Sequence, residues 1–386
     1  MGSYMDKRSM NKIAFVINYI TNNGPSNVVL DIIRNLDREQ YDISLITLFE
    51  GNDDQIVSNL SRDGVKVFCC KTLSRKKCFL GQDREFRQIV QREKFEIIHS
   101  HGIVPDILSM RLKTSAKKVT TIHNNMFEDY VNTYGKIKAS LLIYIHLNAL
   151  RKLDICVGCS KSIFTVMKKY LSNATYVRNG IRSQMPKHIV KREDMDIPCD
   201  AVVFVYSGCL SIGKNVRLLI QNFVEYHNNN EYLLILGAGP EQEICERLID
   251  EHVRLLGFQN DPIAYYYISN IYTSASLSEG FSVSVLEALS CGLGLFLSDI
   301  PSHKEVIFEA KELYLGETFP INKDRKGFLE ALNTLRNNYN YISKEDIRKF
   351  QKKYLSDKAM TSIYQEVYEK VLRNEKINNI YANELN

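Results

Sequence analysis

Two glutamates, Glu279 and Glu287, stand seven residues apart in the segment Ser278-Glu-Gly-Phe-Ser-Val-Ser-Val-Leu-Glu-Ala-Leu-Ser-Cys-Gly292. Ser282 or Ser284 can cap a helix that runs through Glu287 to Cys291, and Gly292 can end it. Glu279 then lies in the loop before the helix and Glu287 on its early turns. Free backbone N–H groups at a helix start bind phosphate. Carboxylates on either side can accept hydrogen bonds from sugar hydroxyls. A capped helix carrying two incidental acids is the alternative at this level.

Other segments carry weaker signals. Gly208-Cys-Leu-Ser-Ile-Gly-Lys214 matches the spacing of a nucleotide-triphosphatase phosphate loop, but Asn215 follows where Ser or Thr should hold Mg²⁺. Gly237-Ala-Gly239 lacks the third glycine of a dinucleotide fingerprint. Cys156-Val-Gly-Cys159 is a lone pair at a strand end, read as structural. His99-Ser-His101 also ends a strand and has no further metal ligands near it in sequence. Residues 135–154 combine an apolar stripe with Lys136, Lys138, Arg151 and Lys152, suited to a membrane surface, an acceptor groove or a core position.

Alternating elements must position these residues. Apolar runs at 12–20, 41–49, 65–70, 95–102, 117–124 and 153–160 read as strands, with helical spacing at 26–36 and 53–61. A second series follows: strands at 201–208, 232–239 and 253–258, and helices at 215–227 and 240–251. Such alternation predicts α/β units with parallel sheets, whose ligands gather at the carboxyl ends of the strands. A chain of 386 residues is long for one core. The charged, proline-bearing stretch 186–199 divides it into an N-terminal Rossmann-like domain (10–188) and a C-terminal one (199–342). A polar helical tail (343–386) is expected to pack back toward the first domain. Residues 1–9 read as a lead before Met10, without a secretory pattern.

Charge is uneven. Residues 61–195 hold 26 Lys or Arg against 11 Asp or Glu, within a chain whose net charge is +5. The basic half asks for an anionic partner: a membrane surface, an acidic substrate or nucleic acid. Nine irregularly spaced cysteines suit a reducing cytoplasm. No apolar run reaches the ~20 residues of a membrane span.

The Glu279–Gly292 segment resembles the E-x7-E signature of the retaining glycosyltransferases of family four, which have the GT-B fold. The likeness extends to Ser298-Asp-Ile-Pro-Ser-His-Lys-Glu305. It also takes in Gly24, His123, Ser160, Asn179-Gly180, Lys214, Gly237-Ala-Gly239 and Leu256-Gly-Phe258, so it spans most of 10–310. It implies two Rossmann-like domains facing each other across a cleft and glycosyl transfer with retention. Glu279, with the backbone of Gly280, Phe281 and Ser282, would hold the donor sugar, and Glu287 the ribose. Lys214, in the loop opened by Gly208, would neutralise the diphosphate. Gly24 would let backbone approach a phosphate, and His123 would face donor sugar and acceptor. The backbone near Phe258 and Asn260 would pair with the base. No metal or other cofactor is implied.

The implied donor is a nucleotide sugar, with UDP favoured. The implied acceptor is a glycan or a polyprenyl-diphosphate-linked oligosaccharide of surface polysaccharide synthesis. Work is expected in the cytoplasm, peripherally on an anionic inner membrane face and without nucleic acid. One departure is Cys209, where the family carries an Arg that pairs with the Lys; Arg178, Arg182 or Arg217 are candidate substitutes. An epimerase of the same fold and a non-catalytic nucleotide-sugar-binding protein are the alternatives.

Overall fold

The computed structural model describes residues 10–310, 313–321, 325–375 and 377. The proposed lead at 1–9 lies outside them, as does most of the tail beyond 375. The chain forms two compact units. One runs through Asn179 and takes up the chain again from Asp357; the other is Gly180–Ser356.

The first unit holds seven strands: β1 (Asn11–Ile17), β2 (Tyr41–Thr47), β3 (Lys66–Cys69), β4 (Ile97–His101), β5 (Lys117–Ile122), β6 (Ile155–Gly158) and β7 (Ala174–Tyr176). They lie in the order β3-β2-β1-β4-β5-β6-β7, and every pairing is parallel. The second unit holds β8 (Val202–Ser207), β9 (Glu231–Leu236), β10 (Val253–Leu255), β11 (Ile271–Ser274), β12 (Gly294–Ser298) and β13 (Gly316–Phe319), ordered β10-β9-β8-β11-β12-β13 and again parallel. Both sheets are doubly wound and reverse direction once, between β1 and β4 and between β8 and β11. Helices cover both faces, so central strands such as β4 and β12 are buried at every residue. That is why β12 reads as an apolar run, whereas β4 buries a polar end, His99-Ser100-His101, on hydrogen-bond partners.

Strands end sooner than the apolar runs suggest. The run at 232–239 leaves the sheet after Leu236, because Gly237 turns at φ 154° and lies against Gly208. A Cβ at Gly237 would sit 1.9 Å from the Gly208 carbonyl oxygen, so only glycine allows these two loops to touch. The helix expected at 240–251 is cut to Gln242–Glu246. It ends at Arg247, whose amide turns back onto Ile244 and Cys245; in the turn beyond, Asp250 accepts from the His252 amide at 2.9 Å and contacts His227 at 2.9 Å.

Domain boundaries also differ from the compositional reading. The first unit ends at Asn179, ahead of 188, and the stretch 186–199 lies within the second. Ile181 bridges to Ser356, its amide donates to the Leu355 carbonyl, and Gln351 donates to the Ile181 carbonyl. The two crossing segments are thereby tied inside the second unit. The tail divides. Helix Lys344–Tyr354 packs on helix Val283–Cys291, while helix Asp357–Leu372 packs on helix Gly24–Asn35 in the first unit. Among the described residues no helix is long and apolar enough to cross a membrane.

Candidate active site

In the second unit, the loops that leave β8 and β11 flank the reversal point of the sheet. The β8 loop runs from Gly208 through a short turn, Ile212–Lys214, to Asn215 in the left-handed conformation (φ 52°), where helix Val216–Tyr226 starts. No side chain caps that helix, so its first N–H groups remain available beside Lys214. The β11 loop carries Ser276 to Ser282 into helix Val283–Cys291. Ser282 occupies the N-cap but makes no side-chain cap bond, and Gly292 ends the helix at φ 80°.

The two loops are joined directly. Lys214 Nζ lies 2.5 Å from Glu279 Oε1, and the Leu277 amide donates to the Gly213 carbonyl. Ser276 Oγ donates to Glu279 Oε1 at 2.7 Å. The Glu279 side chain is only 13% exposed. Burial alone would raise its carboxyl; Lys214 and Ser276 more than offset that and hold it below the usual carboxylate range. Gly280 and Phe281 are buried behind it, and Glu287 is half-buried on the following helix.

Backbone bonds extend this edge along the sheet. Gly208 donates to Leu236, Leu210 to Ala238, and Gly237 to Gly257. Exposed Phe258 and Asn260 thus sit on a loop tied to the same rim. Cys209 is exposed, and Arg217, one candidate for the missing cation, is engaged by Glu241 at 3.5 Å. Arg178 belongs to the first unit, against Tyr176, and Arg182 to the second.

In the first unit, a cavity of about 290 Å³ opens at the carboxyl ends of β1, β4 and β5. His101, His123, Asp129 and Tyr130 line it, together with Asn23, Pro25 and Ser26 around the helix that begins at Gly24. His123 Nε2 is 3.0 Å from His101 Nδ1, so only the rest of its ring faces the cavity. Burial lowers His123 to about 4, partly opposed by Asp106. Within the lining, Asp106 accepts from Ser100 and Thr120 at 2.6 Å and binds His146, which contacts Tyr130. His99 is held between Tyr368 (2.7 Å) and Thr121 (2.8 Å), so the last helix braces the wall.

Asp106, Asp129, Tyr130, His146 and Ser276 were not legible as site residues. They lie among ordinary helix and loop positions, and only the fold brings them together. The cysteines of the CxxC pair are both buried. Cys156 Sγ contacts the Leu150 carbonyl and Cys159 Sγ the His123 carbonyl, and among the described residues no metal-binding cluster forms.

Family models match both units: Glycosyltransferase Family 4 over residues 22–184 and Glycosyl transferases group 1 over 189–354. The chain belongs to the family-four glycosyltransferases. Its fold is GT-B, shared with the Anabaena protein Alr3699/HepE solved with UDP and glucose. That likeness has a TM-score of 0.73 at 13% identity, over 93% of this chain and 100% of that one. The enzyme is 26% identical to the O-antigen biosynthesis glycosyltransferase WclY of Escherichia coli, covering 94% of this chain and 99% of that protein. It is 23% identical to the E. coli UDP-Gal:alpha-D-GlcNAc-diphosphoundecaprenol alpha-1,3-galactosyltransferase, covering 80% and 84%.

Proposed function

We propose that this glycosyltransferase moves a sugar, with retention at the anomeric carbon, from a UDP-sugar to a glycan or polyprenyl-diphosphate-linked acceptor in surface polysaccharide synthesis. The observation that carries the reading is the Lys214–Glu279 pair at the reversal point of the second sheet, beside an uncapped helix start. Lys214 and the helix N–H groups meet the diphosphate, whose negative charge grows as the sugar–oxygen bond breaks. Glu279, kept ionised, accepts from a sugar hydroxyl, and Glu287 accepts from the ribose. Lys214 and the helix start supply the countercharge, so the reading needs no metal. The E. coli relatives named for O-antigen synthesis and for a diphosphoundecaprenol acceptor support the acceptor class.

The first-unit cavity suits the acceptor's sugar. Among the described residues its lining contains no Lys or Arg but includes Asp106 and Asp129. An uncharged, hydroxylated ring fits such a lining; a diphosphate does not. His123, neutral at pH 7, accepts the hydrogen bond of the incoming hydroxyl. The basic surplus lies elsewhere, at exposed Lys71, Arg75, Lys76 and Lys77. Helix Lys136–Leu150 turns outward Ile137 (90% exposed), Leu141 (61%) and Tyr144 (65%), spaced as one helix face beside Lys136 and Lys138. We read these as a cytoplasmic, peripheral attachment to an anionic membrane face. Each basic group near lipid adds ~1 kcal/mol, screened by salt. Vesicles containing anionic phospholipid should therefore sediment the protein at low salt and release it at high salt. Leu141→Ser should weaken the attachment. Equal binding to neutral vesicles would remove the electrostatic part.

Two substitutions test the site. Glu287→Ala should weaken UDP and UDP-sugar binding alike, because both contain ribose. Glu279→Ala should spare UDP binding and abolish sugar transfer and the slow hydrolysis of the donor. Unchanged UDP affinity in Glu287→Ala would refute the ribose contact. Epimerised nucleotide sugar in place of free sugar would point to an isomerase instead.

A further inference from the structure

His303 lies in the first turn of helix Pro301–Phe308, just beyond β12, and is 1% exposed. Its Nδ1 is 3.0 Å from both the Ser298 carbonyl oxygen and Ser298 Oγ. The carbonyl can only accept. The Ser298 hydroxyl gives its single proton to the Ser276 carbonyl at 2.7 Å, so toward the imidazole it too can only accept. Nδ1 must therefore carry the ring proton. Burial keeps the ring neutral, lowering it to about 4 against the opposing pull of Glu279; Lys214 is the other charged group acting on it, and it lowers further. Nε2 is consequently a bare lone pair, fully buried and without a hydrogen-bond partner among the described residues.

A buried acceptor of this kind calls for a donor. Phosphate and carboxylate oxygens bring no proton, whereas a sugar hydroxyl does. The location agrees: Ser298 bonds Ser276, Ser276 bonds Glu279, and Glu279 is paired with Lys214. We infer that His303 Nε2 accepts a hydrogen bond from a hydroxyl of the donor's sugar and helps decide which sugar is taken. This rests on reading the Lys214–Glu279 site as the donor site. A donor sugar that lacks a hydroxyl at the matching carbon, or turns it to the other face, leaves Nε2 unsatisfied and is disfavoured.

The test combines spectroscopy and binding. Long-range ¹H–¹⁵N spectra, assigned by comparison with His303→Gln, should show Nδ1 protonated and Nε2 unprotonated in the free protein. Titration with UDP should leave the Nε2 resonance in place. UDP-glucose, UDP-galactose and their N-acetylated counterparts should move it in proportion to their affinity. By calorimetry, His303→Phe should bind UDP within about twofold of the native protein but lose about tenfold for the preferred nucleotide sugar, the worth of one good hydrogen bond; His303→Gln should recover part of that loss. If His303→Phe fails to fold, the titration of the native protein decides. A protonated Nε2, or nucleotide-sugar binding with no movement of that resonance, overturns the assignment while leaving the donor site standing. If none of these nucleotide sugars binds the native protein, the donor reading falls and this inference with it.

Discussion

Lys214→Ala is expected to lower turnover roughly 10²–10³-fold, the loss seen when one preorganised charge-stabilising group is removed from a transition state. The diphosphate gains charge as the bond to the sugar breaks, so a fixed cation beside it stabilises the transition state more than the bound substrate. The structure adds a second effect. Lys214 is the countercharge of Glu279 and the largest opponent of its burial, so without it the carboxyl rises, with Ser276 left to oppose that. The acid limb of the pH–rate profile should then move to higher pH. Lys214→Arg keeps a cation there and should restore part of both effects.

Cys209→Arg sharpens the test. Arg217 is already engaged by Glu241, so an arginine at exposed position 209 is expected to tighten UDP binding. Donor hydrolysis, which needs no acceptor, reads all three variants. A Lys214→Ala enzyme hydrolysing donor at the native rate would remove this loop from the phosphates.

Stability is expected to fall steeply as pH drops from about 6.5 toward 4. Burial holds His99 near 3 and His123 and His303 near 4, and keeps His101 well below its ordinary value. Asp106 opposes this at His123, and Glu279 at His303. An unfolded chain takes up these protons near pH 6.5. Between that pH and 4 the unfolded state therefore binds more protons than the folded one. The stability present in full above 6.5 is lost as the solution is acidified, with a slope of about 1.4 kcal/mol per pH unit for each such group. Urea midpoints from pH 7 to 5 should show the decline. The first unit, which holds three of the four histidines, should unfold first. His99→Gln, which keeps a donor and an acceptor toward Tyr368 and Thr121, should flatten the slope by about one group. A midpoint unchanged across this range would contradict the buried neutral state.

Much of the architecture was readable from composition and period. Parallel strands covered on both faces are mostly apolar, so β1 and β8 announced themselves, and glycine at 292 marked a helix end because the chain there turns left-handed. The placement of Glu279 in the loop before a helix and of Glu287 on it was readable from their spacing, a local relation that the chain carries in its order. The failures share one cause. The boundary at Asn179 depends on Ile181 finding Ser356, 175 residues later, and no local composition encodes that pairing. The continuous helical pattern of the tail conceals a division, because Tyr364 and Tyr368 choose their partners at Thr121 and His99 in the first unit.

Residue types and short-range spacing thus determined the elements, their alternation, the phosphate-suited helix starts and the two acidic positions. Tertiary structure alone decided that Lys214 and Glu279, 65 residues apart, share one ion pair. It also decided that, among the described residues, no Lys or Arg lines the first-unit cavity although its unit is basic, and that His303 is left with a buried lone pair. Hydrogen bonds and ion pairs act over a few ångströms in space, and only the crossings of the folded sheets bring such distant positions within that reach.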